Sequence, residues 1–391
     1  MKNMRMALSF VIKIMIIFFV SLFVLIQPVG AVASQRKSVP DFFSEAVVII
    51  DSNTGQVLFQ KNGGKQMYPA SITKIITAII ALETNDPDEL VTVSNKAVHA
   101  EGTRVYLLEG EEMALGQLLQ GLMISSGNDA AIAIAEHVDG SVEAFADRMN
   151  RFAEEKAGTT RSSFSNPHGL FEEEHITTAA DMAKISAYAM KNEAFRELVS
   201  TEYIDWTGEG WETRLYNHHP LLRSEEEVIG IKNGFVTMAG YTLSTAVERD
   251  GTEIIIVSLK APSKEHARLD ALAAAEYALS GYETRYISFE NEPYLRDYIF
   301  PESISVTVRK GEEVSWNVSS DRGIVSVYGE DDREIMKVDL EERKMVELPW
   351  FSIDGPFTEM EKEEESRLRI LLDWFIITGF PLVFTNEITQ P

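Results

Sequence analysis

Strand-forming runs stand at both ends of a long helical stretch in this chain, and that arrangement narrows the folds open to it. Residues 42 to 60 read FFSEAVVIIDSNTGQVLFQ, two strand-like runs joined by Asp51-Ser52-Asn53-Thr54-Gly55, which has turn chemistry. Strand character returns in GYTLSTAVERDGTEIIIVSLK, where Asp250-Gly251 marks a second hairpin turn. Between them the apolar residues follow helical spacing, with Ile72, Ile75, Ile76, Ile79 and Ile80 first. LGQLLQGLMISSGNDAAIAIAEHV then reads as a second long helical stretch, and 141–156 and 178–193 read as more helix. HARLDALAAAEYAL predicts a helix after the last strand. Strands flanking a helical middle predict an α/β (α+β) domain built on one antiparallel sheet.

The texture changes near residue 285. SISVTV, EVSWNV, GIVSVYG and EIMKVDL alternate apolar and polar residues, which predicts a small all-β domain over 285–350. Residues 351–366, which hold all but the final arginine of EMEKEEESR, are read as a solvated acidic linker. Residues 367–391 contain LRILLDWFIITGFPLVF, short for a span and interrupted by Asp373, Gly379 and Pro381. An amphipathic or shallow anchor on a membrane surface is the expectation there. At the other end, Lys2, Arg5 and Lys13 precede the apolar run IMIIFFVSLFVLI, and Ala31-Val32-Ala33 supplies a small-x-small cleavage pattern. Residues 1–33 are therefore read as a secretory signal, leaving 34–284 as the main domain outside the cytoplasmic membrane.

Composition removes several function classes. The formal charge is −25, so the surface repels nucleic acid phosphates. There is no cysteine, hence no disulfide, thiolate metal site or cysteine nucleophile. No His-Glu-x-x-His occurs among the seven histidines, and neither a metal nor an organic cofactor is expected.

The stretch YPASITKIIT carries the first chemical signal. Ser71 and Lys74 are three residues apart, which on a helix places both side chains on one face within hydrogen-bond reach. Ser71 falls near the helix N-terminus, where the dipole favours negative charge developing at the hydroxyl. A lysine acts as a base only when neutral, and burial or a second cation nearby would lower its pKa. Ser-x-x-Lys alone is a weak signal. Here it is followed in order by Ser126-Gly127-Asn128 and by Lys232-Asn233-Gly234 on a strand pattern, the motif set of active-site serine penicillin-recognising enzymes.

With these motifs the chain resembles the serine D-alanyl-D-alanine carboxypeptidases, the low-molecular-mass penicillin-binding proteins. IDSNTGQVLFQKN, SSGNDAAIAIAEHVDGS, FSNPHGL and HITTAADMAKIS carry the likeness further, over roughly residues 40 to 283. The resemblance implies a penicillin-binding/β-lactamase-like transpeptidase fold, with an antiparallel sheet and a helical cluster. It implies Ser71 as the nucleophile, Lys74 as its base and Ser126 as a proton relay to the leaving D-alanine. Asn128 would hold Lys74 and the substrate amide, and Lys232 would attract the terminal carboxylate. The N–H groups of Ser71 and Phe235 would form the oxyanion hole, and Gly234 would let the strand backbone come close to the substrate. Arg268 matches an arginine that faces the carboxylate. The substrate implied is the peptidoglycan stem peptide, with β-lactams as covalent inhibitors.

The third motif departs from the family pattern of Lys-Thr-Gly-x-Thr: Asn233 and Val236 stand where threonines are usual. Asn233 can donate through its amide and Val236 cannot donate at all. A class A β-lactamase shares the first motifs, but Asn166-Pro167-His168-Gly169-Leu170 resembles the carboxypeptidase loop instead. DD-endopeptidase or transpeptidase chemistry on the same fold, and a non-catalytic penicillin-binding cell-wall protein, remain as alternatives at this stage.

Overall fold

The computed structural model describes residues 38–289 and 297–343. The signal (1–33), the acidic linker (351–366) and the C-terminal apolar segment (367–391) lie outside the described residues. Among the described residues, no helix is long and apolar enough to cross a membrane.

The two distant groups of strands meet in one sheet. Strands β1 (Ala46–Asp51) and β2 (Val57–Lys61) come from the first run. The helices that follow are α1 (Lys74–Thr84), α2 (Leu115–Ile124), α3 (Asn128–Asp139), α4 (Val142–Glu155), α5 (Ala179–Met190) and α6 (Glu193–Ser200). Strands β3 (Val228–Val236), β4 (Gly240–Arg249) and β5 (Thr252–Ala261) then lead into α7 (Lys264–Gly281). The sheet order is β2-β1-β5-β4-β3, antiparallel throughout, with β1 paired to β2 on one side and to β5 on the other. This places β3, which carries Lys232, at an edge.

Both faces of the sheet are covered, which explains why AVVII and EIIIV run apolar without alternation. Val48, Ile50, Ile255 and Val257 face the helical cluster, while Val47, Ile49, Ile254 and Ile256 face the alanines of α7. Helix α1 is buried from Lys74 through Ala81, as a helix apolar on every side must be. Side-chain caps at Ser141, Thr178, Asn192 and Ser263 each accept the N–H three residues on and fix where the helices begin.

The run 115–138 is not one helix. It breaks at Ser125-Ser126-Gly127, where Ser126 takes φ 64. The break lies inside a continuous apolar stretch and is marked in the sequence only by Ser-Ser-Gly. The break turns the start of α3 toward α1.

The all-β part begins at Tyr282, directly after the last residue of α7. Strands β6 (Tyr282–Ser288) and β7 (Ser303–Arg309) pair antiparallel. Strands β8 (Ser315–Ser319), β9 (Ile324–Tyr328) and β10 (Glu334–Asp339) form a three-stranded sheet. Val306, Val308, Val325 and Val327 pack between them. Buried Thr307 Oγ1 donates to Asp51 Oδ2 at 2.5 Å, and Thr284 N–H donates to Thr252 Oγ1 at 2.9 Å, tying the small sheets to the main one.

Candidate active site

Ser71 sits in a tight 3-10 turn, Ala70–Thr73, that feeds directly into α1. Three elements hold that turn. Thr242 Oγ1 on β4 donates to the Pro69 carbonyl at 2.8 Å. Gly234 on β3 packs its bare Cα against the Ser71 amide, where a Cβ would fall 2.6 Å from the nitrogen. Gly169, at φ 87, lies against the Ala70 carbonyl, and a Cβ there would be 1.9 Å from the oxygen. Glycine is required at both positions, at Gly169 for conformation as well as for space.

One turn past Ser71, at the first residue of α1, Lys74 is fully buried and makes three polar contacts. Its Nζ lies 3.2 Å from Ser71 Oγ, 2.7 Å from Asn128 Oδ1 and 2.7 Å from the carbonyl oxygen of His168. A neutral amine has just enough N–H groups to serve the two carbonyl-type acceptors, which leaves its lone pair for the Ser71 hydroxyl. Burial first, and then the charge of Lys232, hold the Lys74 pKa well below the usual lysine range, while Asp129 opposes them.

The break between α2 and α3 presents the second motif. Asn128 is fixed at both ends of its amide, with Nδ2 donating to the Glu101 carbonyl at 2.6 Å and Oδ1 receiving Lys74. Ser126 is 7% exposed on the same turn, and its hydroxyl bonds none of Ser71, Lys74 or Lys232. Asp129 is buried and accepts N–H bonds from Val105 at 3.0 Å, Ala130 at 2.9 Å and Leu107 at 3.2 Å. Burial nevertheless pushes its carboxyl above the ordinary aspartate range.

The third motif lies on edge strand β3. Lys232 is 1% exposed, and burial lowers its ammonium to about 7. Its Nζ donates to the Asn233 carbonyl at 3.1 Å and to Asn233 Oδ1 at 3.4 Å. The amide oxygen of Asn233 is thus occupied, and the N–H donors of that amide are left for an anion. Phe235 is 52% exposed beyond Gly234, and half-buried Val236 offers no donor.

Arg268 is placed differently from these. On α7 it pairs with Glu265 at 2.7 Å, and it makes no hydrogen bond or ion pair with Ser71, Lys74, Ser126 or Lys232. It lines a cleft of about 640 Å³ together with His218, His219, Arg223 and Lys264.

Reasoning from the sequence missed several groups that shape the site. The His168 carbonyl carries no residue-type signal, since any residue supplies one. His175 links two segments, its Nδ1 accepting Ser165 N–H at 3.0 Å and its Nε2 lying 2.9 Å from Thr73 Oγ1. Burial foremost holds His168 at about 3 and His175 at about 4, so both rings are neutral near Lys74. Asp129 was within view, directly after Asn128, but only the folded loop brings its N–H donors.

Comparison with known proteins follows the same lines. The family profile for D-alanyl-D-alanine carboxypeptidase matches residues 33–263. D-alanyl-D-alanine carboxypeptidase DacF of Bacillus subtilis is 31% identical over 303 residues, 75% of this chain and 75% of that protein. The Streptomyces K15 DD-transpeptidase structure is similar with a TM-score of 0.58 at 28% identity, covering 61% of this chain and 98% of that one. Penicillin binding protein 5 from Haemophilus influenzae shares the fold with a TM-score of 0.68 at 22% identity, over 78% of this chain and 98% of that one.

Proposed function

The chain belongs to the D-alanyl-D-alanine carboxypeptidase family, and from that premise we propose how its residues divide the work. It is a serine-type carboxypeptidase acting on the D-Ala-D-Ala end of peptidoglycan peptides, and it works outside the cytoplasm, where that polymer lies. In the proposed mechanism neutral Lys74 takes the proton of Ser71 as Oγ attacks the carbonyl between the two D-alanines. The N–H groups of Ser71 and Phe235 stabilise the oxyanion. Ser126 relays that proton from Lys74 to the departing amine, the C–N bond breaks, and free D-alanine leaves behind an ester on Ser71. Water then attacks that ester, giving up a proton to Lys74, which returns it to Ser71 Oγ as the ester bond breaks and the shortened peptide is released.

The observation that carries this reading is the environment of Lys74: buried, bound to two carbonyl-type oxygens at 2.7 Å, and 3.2 Å from Ser71 Oγ. The substrate peptide would lie beside edge strand β3, whose outward main-chain groups are open to an added strand. Its terminal carboxylate would then point toward Lys232 and the Asn233 amide. β-Lactams, whose strained amide mimics the same terminus, would acylate Ser71. The C-terminal segment 367–391 would hold the enzyme on the membrane surface.

Release of D-alanine from diacetyl-L-Lys-D-Ala-D-Ala by the purified protein tests the reading, with Ser71→Ala as control. Release that disappears in the variant supports it. Persistence of release in Ser71→Ala would remove Ser71 as nucleophile. No release from a protein still labelled by penicillin would point to a site that has lost peptide turnover.

A further inference from the structure

The loop that roofs the Asn128 end of the cleft carries a side-chain pair that the reaction does not use. Its main chain is pinned to the Ser126–Asp129 segment at several points. The Thr103 carbonyl accepts Asn128 N–H at 2.7 Å, and the N–H groups of Val105 and Leu107 go to Asp129. The Val105 side chain fills the space beside Gly127, where a Cβ would be 3.2 Å away. Between these anchors Tyr106 is held at φ 58 with 55% of its surface exposed. A bulky residue in the left-handed region is strained, and strain that the surroundings maintain marks places of functional use.

Tyr106 is also buttressed. Trp211 meets its ring at 88°, with centroids 5.4 Å apart, and Trp211 Nε1 donates to the Val105 carbonyl at 2.5 Å. On the Tyr106 ring lies the guanidinium of Arg104, 5.3 Å from the centroid, with Nη1 donating to the Val98 carbonyl at 3.1 Å. Arg104 forms no ion pair among the described residues, although the chain carries a net charge of −25. Glu109, five residues further along the loop, accepts a hydrogen bond from Asn95. A stacked and oriented guanidinium with donors to spare fits a carboxylate in a way that a flexible lysine does not.

We propose that Arg104, held on Tyr106, binds a second carboxylate of the substrate, upstream of the scissile bond and distinct from the terminal one attracted by Lys232. The proposal rests on the carboxypeptidase reading above. Lys232 stands on the edge strand whose Gly234 meets the Ser71 amide, and Arg104 follows Thr103, whose carbonyl accepts the N–H of Asn128, the residue that binds Lys74; the two cations therefore belong to different elements that both reach the Ser71–Lys74 site. A peptide with its terminal carboxylate at Lys232 would have its upstream portion leave the cleft past this loop. The ligand class is therefore an acidic peptide ending in D-Ala-D-Ala, with a free carboxylate before the third residue from its end.

Two synthetic pentapeptides test this: L-Ala-γ-D-Glu-L-Lys-D-Ala-D-Ala with the glutamyl α-carboxylate free, and the same peptide with that group as the carboxamide. The wild-type enzyme should prefer the carboxylate form by about tenfold in kcat/KM, carried by KM, a charge-assisted contact being worth that much. Arg104→Gln should bring the ratio close to one, Arg104→Lys should retain part of it, and added salt should shrink it. Equal turnover of the two peptides by wild type overturns the proposal, without need of any variant. So does an Arg104→Gln effect of the same size on both peptides, which would mean a structural role. Wild-type failure on both peptides is a different result, and it overturns the carboxypeptidase reading together with the proposal.

Discussion

Gly234 and Ser71 are in direct main-chain contact: a Cβ on residue 234 would stand 2.6 Å from the Ser71 nitrogen and 2.6 Å from Thr242 Oγ1. No side chain separates the edge strand from the nucleophile's turn. Gly234→Ala must therefore push the two apart, at a cost of about 1–3 kcal/mol for overpacking. A displacement of roughly an ångström at reacting groups costs about a hundredfold in rate. Stopped-time labelling with a fluorescent penicillin should show acylation slowed by that order, in a protein that still unfolds cooperatively. Acylation at the wild-type rate would show that the contact does not position Ser71.

The two buried lysines should give the enzyme opposite pH requirements. In the proposed mechanism acylation needs Lys74 as the free amine, a form gained as pH rises, and burial brings that gain well below the usual lysine range. It needs Lys232 as the ammonium, a form lost as pH rises through about 7 in the free enzyme. For the D-Ala-D-Ala peptide, kcat/KM should accordingly decline on the alkaline side from about pH 7, with KM carrying the loss. Bound carboxylate favours the charged lysine, so the same limb in kcat should lie at higher pH. Lys232→Met should lack the limb and run about a hundredfold below the wild-type maximum, the gap closing on the alkaline side as the wild type loses the same charge-assisted contact. Histidine titration does not supply a limb there, since burial keeps His168 at about 3 and His219 at about 3. A limb unchanged in Lys232→Met would refute this assignment.

In the proposed site, Val236 and Asn233 would set the strength of carboxylate binding. Val236 lies on edge strand β3 two residues past Gly234 and has no donor. Val236→Thr adds a hydroxyl, and one added hydrogen bond to a charged group predicts up to about tenfold in kcat/KM. Asn233→Ala removes both the amide donors and the oxygen that receives Lys232 at 3.4 Å, and should lower kcat/KM by a similar factor. Steady-state kinetics on the diacetyl tripeptide decides both, and a Val236→Thr enzyme no faster than wild type would mean the carboxylate lies elsewhere.

The small β sheets should contribute to stability independently of turnover. Thr307 Oγ1 and Asp51 Oδ2 form a buried bond of 2.5 Å between β7 and β1. Thr307→Val leaves a buried carboxylate oxygen without that donor, which costs about 1–3 kcal/mol. Urea unfolding of the full chain should show a lower midpoint, while kcat/KM on the tripeptide stays at the wild-type value. A matching fall in kcat/KM would mean that the small sheets help to shape the catalytic cleft.

Much of this was legible from local pattern. The spacing of Ser71 and Lys74 already put them on one helix face, and the apolar runs AVVII and EIIIV already marked strands covered on both sides. What stayed hidden involved either backbone atoms or distance along the chain. The carbonyl of His168 meets Lys74 from ninety-four positions away, and a carbonyl leaves no trace in residue type. The break at Ser125–Gly127 lies inside a continuous apolar stretch that reads as one long helical run. Arg268 was placed on the correct helix, yet local geometry there pairs it with Glu265, three residues away.

The sequence by itself determined which chemical groups this protein owns and which elements carry them: a serine and a lysine one turn apart, a Ser-x-Asn turn, a Lys-x-Gly on a strand. These are matters of residue type and short-range spacing, which the chain states directly. The tertiary structure alone decided the protonation of Lys74 and Lys232 and the direction of the Lys74 lone pair. Desolvation and hydrogen-bond geometry belong to everything that surrounds a group, and those surroundings come from five strands and several helices brought together only by folding.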